Sequence, residues 1–204
     1  MPLMIVSLST PVMNYMTRYA IELELNNHLL GQYASLSSVI VVMSTFAGAV
    51  FVVFVPKVSG WKDGGQWRMI RNFCGYAMIA MIMVGILAML AGKFLGPWVC
   101  SLIFGAEILE SISLLVPLLA TSTVLMIKSF FSVMLIPLDQ RWRLLGGECS
   151  GALLCAAAAI PLTRMLGMQG TNLSYLLGTL LQAAILGSCV MRTVNTGEKE
   201  IRER

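Results

Sequence analysis

Residues 73–91 read FCGYAMIAMIMVGILAMLA, nineteen positions without one charged side chain, bounded upstream by Arg71 and downstream by Gly92 and Lys93. As a helix rising 1.5 Å per residue, such a run covers about 28 Å, close to the hydrocarbon thickness of a bilayer. A soluble domain would have to wrap this surface in a large core, and the remaining chain is no more polar. Of the 204 residues, 57% are hydrophobic and 12% charged, with a mean hydropathy of +0.81. The charged share is about half that of ordinary soluble domains. A domain this small cannot bury so much apolar surface, so the composition excludes a soluble enzyme or a nucleic-acid-binding domain.

Outward from that run, similar ones recur. They cover about Leu3–Asn27, Tyr33–Val55 before Pro56, Phe73–Ala91 before Gly92, Gly96 and Pro97, Ser111–Leu138 with Pro117 and Lys128 inside it, Leu145–Thr163, and Asn172–Met191. Periodicity and breakers together predict an all-α integral membrane protein, one bundle of about six transmembrane helices. The bundle is expected to occupy residues 1–194, with a charged tail at 195–204. The opening MPLMIVSLSTPVM has no basic n-region and no clear small-residue cleavage site, so it is expected to stay as a spanning helix.

Short basic loops are retained on the cytoplasmic side of a membrane. Of the fourteen basic residues, ten (Lys57, Lys62, Arg68, Arg71, Arg141, Arg143, Arg192, Lys199, Arg202, Arg204) fall in one alternating set of loops, three (Arg18, Lys93, Arg164) in the other, and Lys128 inside a helix. Both termini are therefore expected in the cytoplasm. Trp61, Trp67 and Trp142 would anchor that face, Trp98 and Tyr33 the opposite one. The stretch Lys57–Arg71 reads as an ordinary positive-inside loop, with an interfacial helix on anionic headgroups as the alternative. Gly64-Gly65 and Gly146-Gly147 read as loop punctuation.

Catalytic chemistry has little to stand on. No GxSxG, HExxH, P-loop or dinucleotide fingerprint is present. The five cysteines (Cys74, Cys100, Cys149, Cys155, Cys189) form no CxxC pair and lie largely in apolar runs, where a thiol acts as a small hydrophobe. The single histidine, His28, cannot anchor a His-based zinc site, so neither a metal nor a cofactor is expected.

Polar residues at helical spacing inside apolar runs point to a protein interior or a wet cavity, because lipid does not satisfy them. Thr10, Asn14 and Arg18 fall at i, i+4 and i+8, with Glu22 a further turn on and able to pair with Arg18; Thr121, Lys128 and Ser132 fall at i, i+7 and i+11. Tyr175, Thr179 and Gln182 form a third stripe, and Ser35, Ser38 and Thr45 a fourth. The third apolar run has almost no polar residue and is expected to face lipid. Taken singly, Asn14, Thr121 and Gln182 suit helix–helix hydrogen bonds better than substrate contacts; only their alignment argues otherwise. Lys128 has two readings. Its ammonium either meets an anionic substrate group or pairs structurally with Glu148 or another carboxylate, and the first is preferred because intramembrane ionisable residues are functional by default. The substrate-binding candidates are Arg18, Lys128, Asn14, Thr121 and Gln182, with no catalytic residue.

Four stretches carry a resemblance in order along the chain. They are MNYMTRYAIELELNNHLLGQYASLSSV (13–39), FVVFVPKVSGWKDGGQWRMIRNF (51–73), WVCSLIFGAEILESISLLVPLLA (98–120) and RMLGMQGTNLSYLLGTLLQA (164–183). Together they resemble the carboxy-terminal half of the polysaccharide and O-antigen flippases, in the export superfamily that also holds the MATE drug transporters. The resemblance implies one lobe of a protein with about twelve spanning helices, moving an undecaprenyl-diphosphate-linked oligosaccharide across the bacterial inner membrane by alternating access. The implied partners are that lipid-linked oligosaccharide, membrane lipids and a second lobe or a homo-oligomer, with no nucleic acid. Because the chain starts inside what resembles the family's seventh helix, a truncated flippase is expected, two associating short chains being the alternative. A different class, an integral-membrane transferase acting on lipid-linked sugars, would have to draw on Glu107, Glu110 and His28. An inactive inserted fragment is the third possibility.

Overall fold

A computed structural model of the protein describes the backbone of residues 2–25 and 27–202. The side chains of His28, Glu107 and Glu110, on which a transferase would depend, lie outside the described residues. Among the described residues seven α-helices follow one another: α1 (Pro2–Glu24), α2 (Asn27–Val52), α3 (Val55–Asp63), α4 (Trp67–Phe104), α5 (Leu115–Leu135), α6 (Arg141–Leu166) and α7 (Met168–Arg202), with a 3₁₀ helix, Ala106–Leu114, before α5. No strand occurs among the described residues. Gly105 after α4 and Gly167 after α6 sit at φ +88° and +61°, left-handed values that end a helix and that L side chains rarely adopt.

Among the described residues five helical stretches are long and apolar enough to cross a bilayer: Leu29–Asp63, Trp67–Phe104, Ser111–Leu135, Arg141–Leu166 and Met168–Lys199. The sixth expected span, α1, has 23 residues, about 34 Å at the helical rise, but Asn14, Thr17 and Arg18 lower its apolarity. It lies chiefly against α6, and α6 in turn against α7 in the largest interface of the bundle. At the centre stands α5, which packs on α7, α2 and α4. Its apolar window is 67% buried, whereas that of α4 is only 17% buried. The third apolar run therefore does expose most of its surface, through Ile79, Met83, Leu87, Leu90 and Phe94.

Two apolar clusters fill the bundle. One joins Phe51, Cys74, Phe130, Met134, Leu144 and Leu186, with the Phe51 and Phe130 rings 5.3 Å apart and edge-on. The other joins Met13, Ile21, Leu36, Leu118, Cys155 and Tyr175. Tyr33 belongs to the second cluster and is 3% exposed, so it is a core residue and not the interfacial anchor expected of it. Trp98 and Trp142 remain exposed, while Trp61 and Trp67 pack on the core.

Several boundaries differ from expectation for one reason, close helix contact. The third run does not stop at Gly92; α4 continues through Pro97 for 38 residues. A Cβ on Gly92 would strike Leu119, and one on Gly96 would strike Leu115, so both glycines admit α5 to the α4 surface and terminate nothing. Gly146 and Gly147 likewise lie inside α6, and Gly147 faces Leu186 and Ile185 of α7. Gly64-Gly65 does form a turn, yet Lys57–Arg71 is no loop: it consists of α3, that turn and the start of α4. Residues 195–202 extend α7 instead of leaving it as a separate tail, with Gly197 packed on the Trp67 ring.

Most of the loop-side basic residues gather at one end of the bundle. Lys62 Nζ donates to Asp139 Oδ2 at 2.7 Å and to the Pro137 carbonyl at 3.0 Å, tying α3 to the α5–α6 connection. Arg71 pairs with Glu198 at 2.6 Å, tying α4 to α7. At the opposite end Arg164 pairs with Glu24 at 2.9 Å. The Lys62 ammonium, through its hydrogen bond and charge, holds the Asp139 carboxyl below the usual carboxylate range. A depressed carboxyl stabilises the fold above its unfolded pKa and loses that contribution as pH falls through the folded value. Melting curves of the wild type and Asp139→Asn should therefore separate near neutrality and converge below about pH 4. Curves offset equally at every pH would show that the charge pair contributes nothing.

Candidate functional site

Lys128 sits seven residues before the end of α5 and Glu148 seven residues after the start of α6. Each is thus about 10 Å inside its span, measured along the helix axis. Their side chains are 5% and 1% exposed, and Lys128 Nζ lies 2.8 Å from Glu148 Oε2. The second carboxylate oxygen accepts a hydrogen bond from Ser132 Oγ at 2.7 Å, and the ammonium donates to Thr10 Oγ1 of α1 at 3.1 Å. Gln182 of α7 donates to the Glu148 main-chain carbonyl at 2.8 Å and to Ser9 Oγ at 3.1 Å, while Ser9 Oγ also donates to that carbonyl at 3.2 Å. Four helices, α1, α5, α6 and α7, therefore meet in one buried polar layer around one ion pair.

Each charge depends on the other there, because desolvating a carboxylate or an ammonium costs several kcal/mol before any partner is counted. The pair, with the Ser132 hydroxyl donating to Glu148 and the Thr10 hydroxyl accepting from Lys128, meets that cost. Within that layer Gln182 Oε1 is buried and has no hydrogen-bond donor among the described residues.

The expected binding residues divide into separate places. Lys128 and Gln182 share the layer. Thr121, two turns from Lys128, donates to Asn172 Oδ1 of α7 at 3.0 Å and to its own helix at the Pro117 carbonyl. Asn14 is half-buried on α1, and Arg18 is exposed on that helix beside Tyr15 and Tyr19. The Arg18–Glu22 pair is not formed; among the described residues the ion pair in this region is Glu24 with Arg164. The polar stripe of α2 turns on itself, with Ser35, Ser38 and Thr45 donating to carbonyls three or four residues back.

The ammonium thus rests on Glu148, the partner that the structural reading of Lys128 named. Cavities formed by described residues include one of about 630 Å³ at the basic end, one of about 450 Å³ between α2, α4 and α5, and one of about 240 Å³ beside Pro117 and Asn172. Neither Lys128 nor Glu148 lines any of them. Two contributors escaped sequence reasoning. Asn172 precedes Tyr175, Thr179 and Gln182 by three, seven and ten residues, so helical spacing already places it on their face. Ser9 carries no such signal, since its role depends on how α1 docks against α6 and α7.

The fold and site define a class: an all-helical bundle with several membrane-length helices and an ion pair buried in their midst. Compared with protein-family models, curated proteins and solved structures, the chain matches none.

Proposed function

We propose that the chain is a membrane transport protein, a lobe that carries a lipid-linked oligosaccharide bearing a diphosphate across the membrane together with a second lobe or a second copy of itself. The observation that carries this reading is the Lys128–Glu148 pair, 2.8 Å apart and buried within helices of membrane length. Apolar residues of similar volume would fill that space at equal or lower free energy, so an ionisable pair kept among spanning helices favours a functional use. The unpartnered Gln182 Oε1 supports the same reading, because a layer built only for stability has no need of an unmet buried acceptor. In this reading the pair holds the resting lobe together and parts when an anionic headgroup draws Lys128 away. Arg18, exposed and without an ion-pair partner among the described residues, is the cation open to such a headgroup from α1.

A second reading rests on the burial itself. With the ammonium 5% exposed and already neutralised, the layer fits a purely structural fastener in an inserted scaffold. The two readings part on the double variant Lys128→Met/Glu148→Leu, which removes both charges without stranding either. In cells whose glycan export depends on this chain, transport through the pair requires export to fall at least about tenfold, the equivalent of 1.4 kcal/mol, while insertion and melting temperature hold. Full export from the double variant would leave only the fastener. Arg18→Ala should lower export without changing the melting temperature, since the side chain is solvent-exposed.

A further inference from the structure

We propose that the cavity at the basic end of the bundle binds a phosphate-bearing anion, either an anionic phospholipid headgroup or a soluble phosphate. The proposal does not rest on the transport reading. The cavity measures about 630 Å³, within the usual range for small-ligand sites. Its wall includes Arg143 near the start of α6, Arg192 and Asn195 of α7, Gln140 just before α6, and Trp67 at the start of α4. Among the described residues no carboxylate lines it. The acidic residues next to wall positions in sequence, Asp139 and Glu198, are engaged by Lys62 and Arg71. Among the described residues neither Arg143 nor Arg192 has an acidic partner.

Two guanidinium groups therefore face one hollow with no carboxylate partner among the described residues. Guanidinium is the group that matches phosphate geometry by paired N–H donors. The start of α6 adds to this, because Gln140 provides no side-chain cap and the first main-chain N–H groups of a 26-residue helix carry partial positive charge. The amides of Asn195 and Gln140 supply further donors. Trp67, packed on Gly197, gives the wall an indole surface of the kind that sits at headgroup level. Size, charge and membrane-edge position together fit a phosphodiester headgroup or a free phosphate and disfavour a neutral or cationic ligand.

Cys189 lines the cavity as a half-buried free thiol and reports its occupancy. The full chain is reconstituted in nanodiscs of phosphatidylcholine alone, of phosphatidylcholine with phosphatidylglycerol, or of phosphatidylcholine with inorganic phosphate in the buffer. Alkylation by a maleimide is then followed at Cys189 and, as a control away from the cavity, at Cys149. Occupancy by two guanidinium–phosphate contacts should slow alkylation of Cys189 about tenfold or more and leave Cys149 unchanged. Arg143→Ala/Arg192→Ala should abolish the protection. Protection by phosphatidylglycerol alone assigns the site to a lipid headgroup; protection by inorganic phosphate assigns it to a soluble phosphate. Equal Cys189 rates in all three preparations of the wild type overturn the proposal, whether or not the double variant folds.

Discussion

Replacing Lys128 with alanine is expected to cost the bundle about 3–5 kcal/mol, the usual penalty for stranding one member of a buried ion pair. The reason lies in what remains. Glu148, 1% exposed, would keep only the Ser132 hydroxyl on its carboxylate and no positive charge within the layer. It would have to take up a proton or draw α1 and α6 apart to reach water. Lys128→Ala alone is therefore a poor probe of transport, since lost export could reflect lost fold. The double variant Lys128→Met/Glu148→Leu should recover that loss and match or exceed the wild type, because apolar replacement of buried pairs is often neutral or stabilising. Thermal melts in detergent of Lys128→Met, Glu148→Leu and the double variant make, with the wild type, a complete cycle. A double variant as unstable as either single would mean that the layer depends on these side chains beyond their charges.

The second large effect is expected at Gly151 in α6. A Cβ there would come within 2.5 Å of the Gly178 carbonyl oxygen and 2.8 Å of Gln182 Cδ. At Gly178, reciprocally, an added Cβ would lie 2.8 Å from the Gly151 carbonyl oxygen and from Cys155 Cβ. Main chain cannot swing aside as a side-chain tip can, so Gly151→Val must push α6 and α7 apart along the largest interface of the bundle. The loss should reach or exceed about 3 kcal/mol, the upper end of ordinary overpacking costs. The same separation would pull Gln182 from the Glu148 carbonyl, its partner at 2.8 Å. Gly48 in α2 provides the contrast, with nothing within 4 Å of an added Cβ. Gly48→Ala should be neutral or raise stability by up to about 1 kcal/mol through helix propensity. Equal melting temperatures for Gly151→Val and the wild type would refute the tight α6–α7 contact.

The contrast between these glycines marks where sequence reasoning stops. Gly92, Gly96 and Gly147 read as breakers because glycine is a poor helix former in water. Between membrane helices the missing side chain matters more, since it lets two backbones approach. Nothing in the residues beside Gly147 says that Leu186 stands opposite. Pro97 is likewise a helix terminator by local rule, yet α4 runs through it, as long membrane helices tolerate. Tyr33 looks like a belt residue by composition and becomes core because the docking of α2 buries it in the cluster that also holds Met13 and Tyr175.

The polar layer was legible in half. Lys128, Gln182 and the hydroxyl stripes stand out because each is polar at helical spacing within an apolar run, and Glu148 is a lone acid in another. Which charge meets which was a choice between partners, and Arg18–Glu22, at ideal spacing on one helix, is the pair that does not form.

The helical class and the membrane-length runs follow from composition and periodicity, which are local and additive: each apolar residue contributes its own transfer free energy wherever its neighbours lie. The grouping of basic residues was equally readable, because their alternation between successive apolar runs is a property of the sequence alone. Partners, by contrast, are decided by helix docking. Lys128 on Glu148, Gly151 on Gly178, and Arg143 with Arg192 around one cavity depend on the rotation and depth at which α1, α5, α6 and α7 settle. That arrangement minimises voids and unmet polar groups over the whole bundle at once, a condition that no single segment contains.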